Sequence, residues 1–213
     1  MAETRVGIVD YGVGNLRSVA AAVAHLGGTP VVTPDAAVLL SCERMIVPGV
    51  GAFPFAMQTL ARLGLDQTIH DFVATGRPCL GICLGMQLLF QRSTEFALTP
   101  GLGFVEGQVV QLTALAPTGD VRLPNVGWLP LMARTPPPAG LGARMLGGVG
   151  PDDSFYFIHS YGAAPDLPDT AAISQVGDIA FTSVVARDNL VGTQFHPEKS
   201  GPAGLRMLAQ FIA

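Results

Sequence analysis

Apolar and polar positions fall into two kinds of block along the first half of the chain. Short runs rich in β-branched residues recur at Arg5–Val9, Thr29–Thr33, Arg44–Val47 and Pro78–Ile82, and each reads as a buried strand. Longer stretches with helical spacing lie between them. Asn15–Leu26 predicts a helix, with Asn15 as candidate N-cap and Gly27-Gly28 as its stop. Ala56–Arg62 and Asp66–Thr75 read as helices parted at Gly64, and Leu84–Gln91 as a helix following its strand directly. Strands separated by helices in this rhythm imply a parallel sheet covered on both faces.

The second half changes character. Val105–Leu112, Trp128–Met132, Ser154–His159, Ala171–Gln175, Phe181–Arg187 and Leu190–Phe195 read as short strands. Turn residues part them, as at Val176-Gly177-Asp178 and Asp188-Asn189, which predicts hairpins and antiparallel or mixed pairing. A last helix is expected over Pro202–Ile212. Thr135–Gly142, with three consecutive prolines, reads as a loop, and too few residues follow it for a comfortable second domain. The expected fold class is α/β. It is a doubly wound, mostly parallel sheet flanked by helices, with added antiparallel β-structure in the C-terminal half, in a single domain over residues 1–213.

Composition narrows the function. A length of 213 residues suits one α/β domain with a full core. Lys and Arg number 12 against 16 Asp and Glu, a net charge of -4, which argues against a nucleic-acid binder, since that would need a basic stripe. Hydrophobic residues make up 49%, too many for a disordered chain. No apolar run approaches the ~18 residues of a membrane helix. Val6–Val9 is too short for a secretory leader, and Asp10 ends it. Three cysteines make no disulfide framework, so a reduced, cytoplasmic protein is expected.

Three segments carry candidate chemistry. In Gly81–Gln87 (GICLGMQ) a strand runs straight into a helix, with Cys83 at the junction and glycines two residues to either side. This is the pattern of a nucleophile elbow: a sharp turn exposes the thiol, and the glycines let backbone pass without Cβ clashes. The helix N-terminus would favour the thiolate, and the Leu84 N–H would face an oxyanion. Alone, Cys83 also fits a small buried hydrophobe. In Thr193–Ser200 (TQFHPEKS), His196 and Glu198 supply a base and a group to orient it. Their spacing puts both on one side of an extended chain stiffened by Pro197. Alone, such a pair also fits a solvated turn. In Val47–Phe53 (VPGVGAF) a strand ends in backbone rich in free N–H groups, able to complete an oxyanion hole or simply to turn the chain.

Other motifs fall away. Gly12-Val13-Gly14 follows the first strand, but Arg17 stands where a dinucleotide fingerprint needs glycine. Cys79 and Cys83 lack the partners of a zinc site, and Cys79 and Cys42 read as structural. His25 and His70 read as surface or cap residues, and His159 has no role from the residues alone. Neither cofactor nor metal is expected.

Together, PGVGAF, GICLGMQLLF and GTQFHPEKS resemble the class I glutamine amidotransferases. GIVDYGVGNLRSV, FYFIHSY and HPEKS are similar, within that family, to the glutaminase subunits of imidazole glycerol phosphate synthases, and the likeness runs from Val6 to the last helix. The resemblance implies a Cys83–His196–Glu198 triad that hydrolyses glutamine. The ammonia would pass to a (β/α)8-barrel cyclase partner, which makes imidazole glycerol phosphate and aminoimidazole carboxamide ribotide in histidine biosynthesis. It implies an oxyanion hole of Gly49, Val50, Gly51 and Leu84, with the Gly49–Val50 peptide flipping when the partner binds its nucleotide. It implies substrate contacts at Gln87, Ser160 and Tyr161. Lys199, Trp128 and Asn15 would meet the partner, Asn15 from a position beside the oxyanion loop. Three positions depart from the pattern. Asn125 and Leu129 stand for a His and an Asn in a segment bordering the subunit interface, and Phe55 stands where an acidic residue is common. The alternatives are another class I glutaminase, a non-catalytic subunit of the same fold, or a peroxide-sensing thiol protein. HPEKS and DYGVGNLRS speak against the first, the intact triad against the second, and Glu198 against the third.

Overall fold

The computed structural model describes residues 4–116 and 121–213. The first half contains β1 (Arg5–Val9), α1 (Leu16–His25), β2 (Thr29–Thr33), α2 (Ala36–Leu40), β3 (Arg44–Gly49), α3 (Phe53–Leu63), α4 (Leu65–Ala74), β4 (Cys79–Cys83) and α5 (Leu84–Leu88). Then follow β5 (Phe90–Ser93), β6 (Thr99–Pro100), β7 (Val105–Gln111), β8 (Asn125–Pro130), β9 (Met132–Ala133) and α6 (Gly140–Gly147). The chain closes with β10 (Ser154–His159), β11 (Tyr161–Ala163), β12 (Thr170–Val176), β13 (Ile179–Arg187), β14 (Leu190–Thr193) and α7 (Gly201–Ile212).

An eight-stranded sheet in the order β2-β1-β3-β4-β14-β13-β12-β9 forms the centre. The strands from β2 through β14 run parallel, and β13, β12 and β9 are antiparallel additions. The hairpins expected at Val176-Gly177-Asp178 and Asp188-Asn189 join β12 to β13 and β13 to β14. A ribbon of β8 and β10 and a small sheet, β11-β7-β5-β6, complete the β-structure. The pleat explains the continuous apolar strands. In β3, Ile46 enters the core on one face, with Phe155, Phe181, Phe195 and Phe211, while Met45 and Val47 enter the other, with Leu60, Phe72 and Met86. No described helix is long and apolar enough to cross a membrane.

Tertiary contacts redraw several expected elements. The helix after Cys83 stops at Leu88 instead of Gln91, because the carbonyls of Leu88 and Leu89 accept from Leu102 and Val105 at 2.8 and 3.0 Å. The chain then continues as β5 beside β7. Trp128–Met132 is two strands: β8 pairs with β10, and β9 with the edge of β12. The proline loop ends sooner than expected, since Gly140 opens α6, which buries Leu141 and Met145. Helix α2 has a local signal, Asp35, whose side chain caps Val38 N–H at 3.0 Å. Asn15 holds the N-cap place of α1 without a side-chain cap bond.

Candidate active site

Cys83 sits where β4 passes into α5, at φ 54 and ψ -109. A non-glycine residue in this region costs about 1–3 kcal/mol and persists only where its surroundings over-determine it. Here they do. A Cβ on Gly85 would lie 1.7 Å from the Val47 carbonyl oxygen, and one on Gly81 2.7 Å from that of Gly85. The flanking glycines therefore let α5 press against β3 and β4, as the elbow pattern requires. Helix α5 has only five residues, so it aligns fewer peptide dipoles at the sulfur than the longer helix would.

His196 approaches Cys83 from the C-terminal half. His196 follows β14, and its loop is tied to β10: His196 N–H donates to the Tyr156 carbonyl at 2.9 Å. Ser200 Oγ donates to the His196 carbonyl at 2.6 Å and accepts from Tyr156 N–H at 2.9 Å. Helix α7 comes close enough that a Cβ on Gly204 would meet the Pro197 oxygen at 2.0 Å. His196 Nδ1 donates to Glu198 Oε1 at 2.8 Å, and both side chains are nearly excluded from water. Burial pulls the His196 pKa down, but Cys83 and Glu198 outweigh it and lift it to about 9. His196 Nε2 is buried and makes no hydrogen bond of ordinary geometry among the described residues.

A cavity of about 320 Å³ opens at the sulfur. Of the expected residues, Val50, Gly51, Cys83, Leu84, Gln87, Ser160 and Tyr161 line it. Gly49 sits behind that wall, where a Cβ would strike Tyr11 Oη at 2.5 Å and Leu84 Cβ at 2.9 Å. Tyr11 donates to the Pro48 carbonyl at 2.8 Å. Asn15 follows Gly14, whose Cβ would lie 3.8 Å from Gly49. Trp128 is 54% exposed and Lys199 is exposed, both outside the cavity.

Three further residues line the cavity: Glu95, Ile158 and His159. Glu95 belongs to no motif, and nothing in the sequence spacing leads to it. Its Oε2 accepts from Phe53 N–H at 2.7 Å, capping α3 from a distance. The residues alone give His159 no role, and the fold supplies its surroundings. Its Nδ1 meets the Tyr161 carbonyl at 2.8 Å and its Nε2 meets Asn125 Nδ2 at 3.2 Å. A carbonyl only accepts, so Nδ1 carries the proton and Nε2 accepts from Asn125. Burial holds this imidazole down at about 4, against a weaker opposing hydrogen bond to Tyr161. Asn125 thus faces inward, and Leu129 packs against the core, while Val126 and Trp128 on the opposite pleat are exposed. The two departures in this segment lie on its inner face. Phe55 is 70% exposed, and nothing in the structure explains it.

Among the described residues, no group of three or more His, Cys, Asp or Glu side chains is placed to hold a metal ion. The arrangement suits an amide-hydrolysing thiol: a cysteine on a strained turn at the wall of a cavity, with an imidazole held by a carboxylate nearby.

Relatives agree with this chemistry. A family model described as glutamine amidotransferase class-I matches residues 7–213. A protein named imidazole glycerol phosphate synthase subunit HisH, from Symbiobacterium thermophilum, is 44% identical, covering 97% of this chain and 92% of its own. One of the same name from Aromatoleum aromaticum is 43% identical, covering 98% and 97%. Among solved structures, PurLQS from Thermotoga maritima superposes with a TM-score of 0.73 at 18% identity, covering 99% of this chain and 98% of that one. A glutamine amidotransferase crystal structure gives 0.68 at 20%, with 97% of each chain covered. At such identities these two structures speak for the fold alone. The chain belongs to the class-I glutamine amidotransferase family, and within it to the HisH subunits of imidazole glycerol phosphate synthase.

Proposed function

We propose that this chain, as one amidotransferase domain, hydrolyses glutamine with Cys83 as nucleophile, His196 as acid and base, and Glu198 as the group that orients His196. The observation that carries the reading is a strained Cys83 on the wall of a cavity of amino-acid size, with a carboxylate-held His196 close enough to the sulfur to feel its charge. Glutamine would enter with its ammonium group against Glu95, a carboxylate in a mostly apolar wall. Both hydrogens of Gln87 Nε2 are engaged, by the Tyr161 carbonyl at 2.8 Å and Gln194 Oε1 at 3.0 Å. Gln87 therefore offers substrate its Oε1. The Tyr161 carbonyl already accepts from Gln87 and His159, so it has no lone pair left for substrate.

The sulfur attacks the side-chain carbonyl carbon, forming an S–C bond. The oxyanion faces Leu84 N–H and the N–H groups of the Gly49–Gly51 loop. His196, protonated below about 9, gives its proton to the departing nitrogen, and ammonia leaves as the C–N bond breaks. Water then gives a proton to His196 and breaks the thioester, releasing glutamate.

The ammonia would go to a (β/α)8-barrel cyclase subunit, in a cytoplasmic setting that suits three free cysteines. The surface supports that partner. Val50, Val126, Trp128 and Ile158 are exposed apolar side chains beside the cavity, with Ile158 and Val126 paired across the ribbon. The Ile158 carbonyl lies 3.9 Å from Cys83 Sγ. Lys199 would add a charge at the rim. Ring contacts run from Trp128 to Tyr156 at 5.8 Å and from Tyr156 to His196 at 6.5 Å, so this face touches the base.

The test is glutamate release from glutamine, by the chain alone and with a barrel cyclase subunit and its nucleotide. Low release alone and a large rise with partner are expected, and Cys83→Ala should abolish both. Equal release in both settings would remove the partner. Release undiminished in Cys83→Ala would remove the mechanism.

A further inference from the structure

A chain of side-chain amides behind the nucleophile ends on the sulfur itself. The Tyr161 carbonyl can only accept, so the Gln87 side chain must turn its nitrogen to it, at 2.8 Å. That same nitrogen is 3.0 Å from the Gln194 carboxamide and must meet its oxygen. With its oxygen so used, Gln194 turns its own nitrogen toward Cys83 Sγ, at 3.7 Å. Gln194 is fully buried, which leaves it no hydrogen-bonding alternative in water.

We infer that Gln194 is a further catalytic residue of the glutaminase reaction, its carboxamide N–H stabilising the Cys83 sulfur whenever that atom carries negative charge. The inference rests on Cys83 being the nucleophile. Negative sulfur occurs twice: before the S–C bond forms, and again when water has added to the thioester and the C–S bond breaks. In both states the electron pair stays on sulfur, and a fixed donor lowers its energy. A neutral amide suits this buried place, because a cationic donor would carry a large desolvation cost. Gln87 is the positioning residue: by occupying the Gln194 oxygen it decides which end of the amide the sulfur sees. Gln194 does not line the cavity, so its effect belongs to reactivity and not to substrate affinity.

The test is the rate at which iodoacetamide alkylates Cys83 of the full-length chain at neutral pH, located by peptide mass. Gln194→Met, of similar volume and without an N–H, should slow Cys83 alkylation by about tenfold, as loss of a hydrogen bond to a charged atom implies. In glutamate release the same variant should lower kcat by a like factor and leave KM within about twofold. Gln194→Glu keeps the acceptor for Gln87 but sets an oxygen against the sulfur, and should be slower still. Circular dichroism confirms that each variant is folded. A folded Gln194→Met alkylated at the unsubstituted rate overturns the inference. Should that variant not fold, an unslowed Gln194→Glu does the same. If Cys83 of the unsubstituted chain reacts no faster than the buried Cys42, the inference and the reading beneath it both fall. If Cys83 reacts faster and Gln194→Met matches it, only the inference falls.

Discussion

The proposed nucleophile and the proposed base of this site are held by different kinds of structure. Cys83 is held by sterics. Backbone from β3, β4 and α5 meets where no side chain fits, as the 1.7 Å approach at Gly85 shows. His196 and Glu198 are held mainly by polar contacts, through Ser200, Tyr156 and each other, with one steric contact at Gly204. A steric frame is all-or-none, because packed backbone has nowhere to yield. A polar frame is graded, because each bond can weaken and each group can titrate. Changes that put atoms between the packed backbones around Cys83 should therefore break the fold, while changes beside His196 tune protonation and rate.

The largest effect should come from Gly85→Ala. Either α5 or β3 must shift, and we expect a loss of more than about 4 kcal/mol, read as little folded chain in urea titration. Gly51→Ala is the control: nothing lies within 4 Å of its Cβ, and only its φ of +106 resists. It should cost about 1–2 kcal/mol. A Gly85→Ala chain as stable as Gly51→Ala would end the contrast.

Glu198→Gln comes next. It should lower glutamate release about 10²- to 10⁴-fold while the chain stays folded, because His196 loses its orienting carboxylate. The same change sharpens the pH argument. His196 is raised to about 9 in the folded chain, so its contribution to stability is complete below its ordinary 6.5 and is lost as pH climbs through 9. Urea midpoints of the unsubstituted chain should fall across that window, and Glu198→Gln should flatten the fall.

His159 has the opposite sign. Held at about 4 when folded, it leaves the proton to the unfolded chain between 4 and 6.5, so stability rises with pH there. His159→Asn should remove that rise. A chain whose midpoints do not slope in opposite directions across the two windows would refute the assignment of neutral His159 and charged His196.

The smallest effect is expected at Arg206, which pairs with Asp153 at 2.6 Å while half exposed. Arg206→Ala should change stability by less than about 1 kcal/mol. A larger loss would mean that the polar contacts of this half do more than tune.

How much of this was legible in the chain follows from the reach of each cause. Strand and helix periodicity, the Gly-x-Cys-x-Gly elbow and the His–Pro–Glu turn depend on neighbours within a few residues. The parallel core strands, the strand-to-helix turn at Cys83 and the His196–Glu198 contact could therefore be read directly. Hairpins at Val176-Gly177-Asp178 and Asp188-Asn189 were legible for the same reason. The end of α5 was not, because Leu102 and Val105 take the carbonyls that would have continued it. Nor was the role of Glu95, whose partner Phe53 is 42 residues away. Gln194 reaches Cys83 across 111 residues, and Asn125 reaches His159 across 34. The sequence by itself determined which local turns and faces the chain must form, since hard-sphere clashes and side-chain spacing act at short range. Only the tertiary structure decided which buried polar groups meet. A buried donor must find an acceptor, and folding alone brings the distant one within reach.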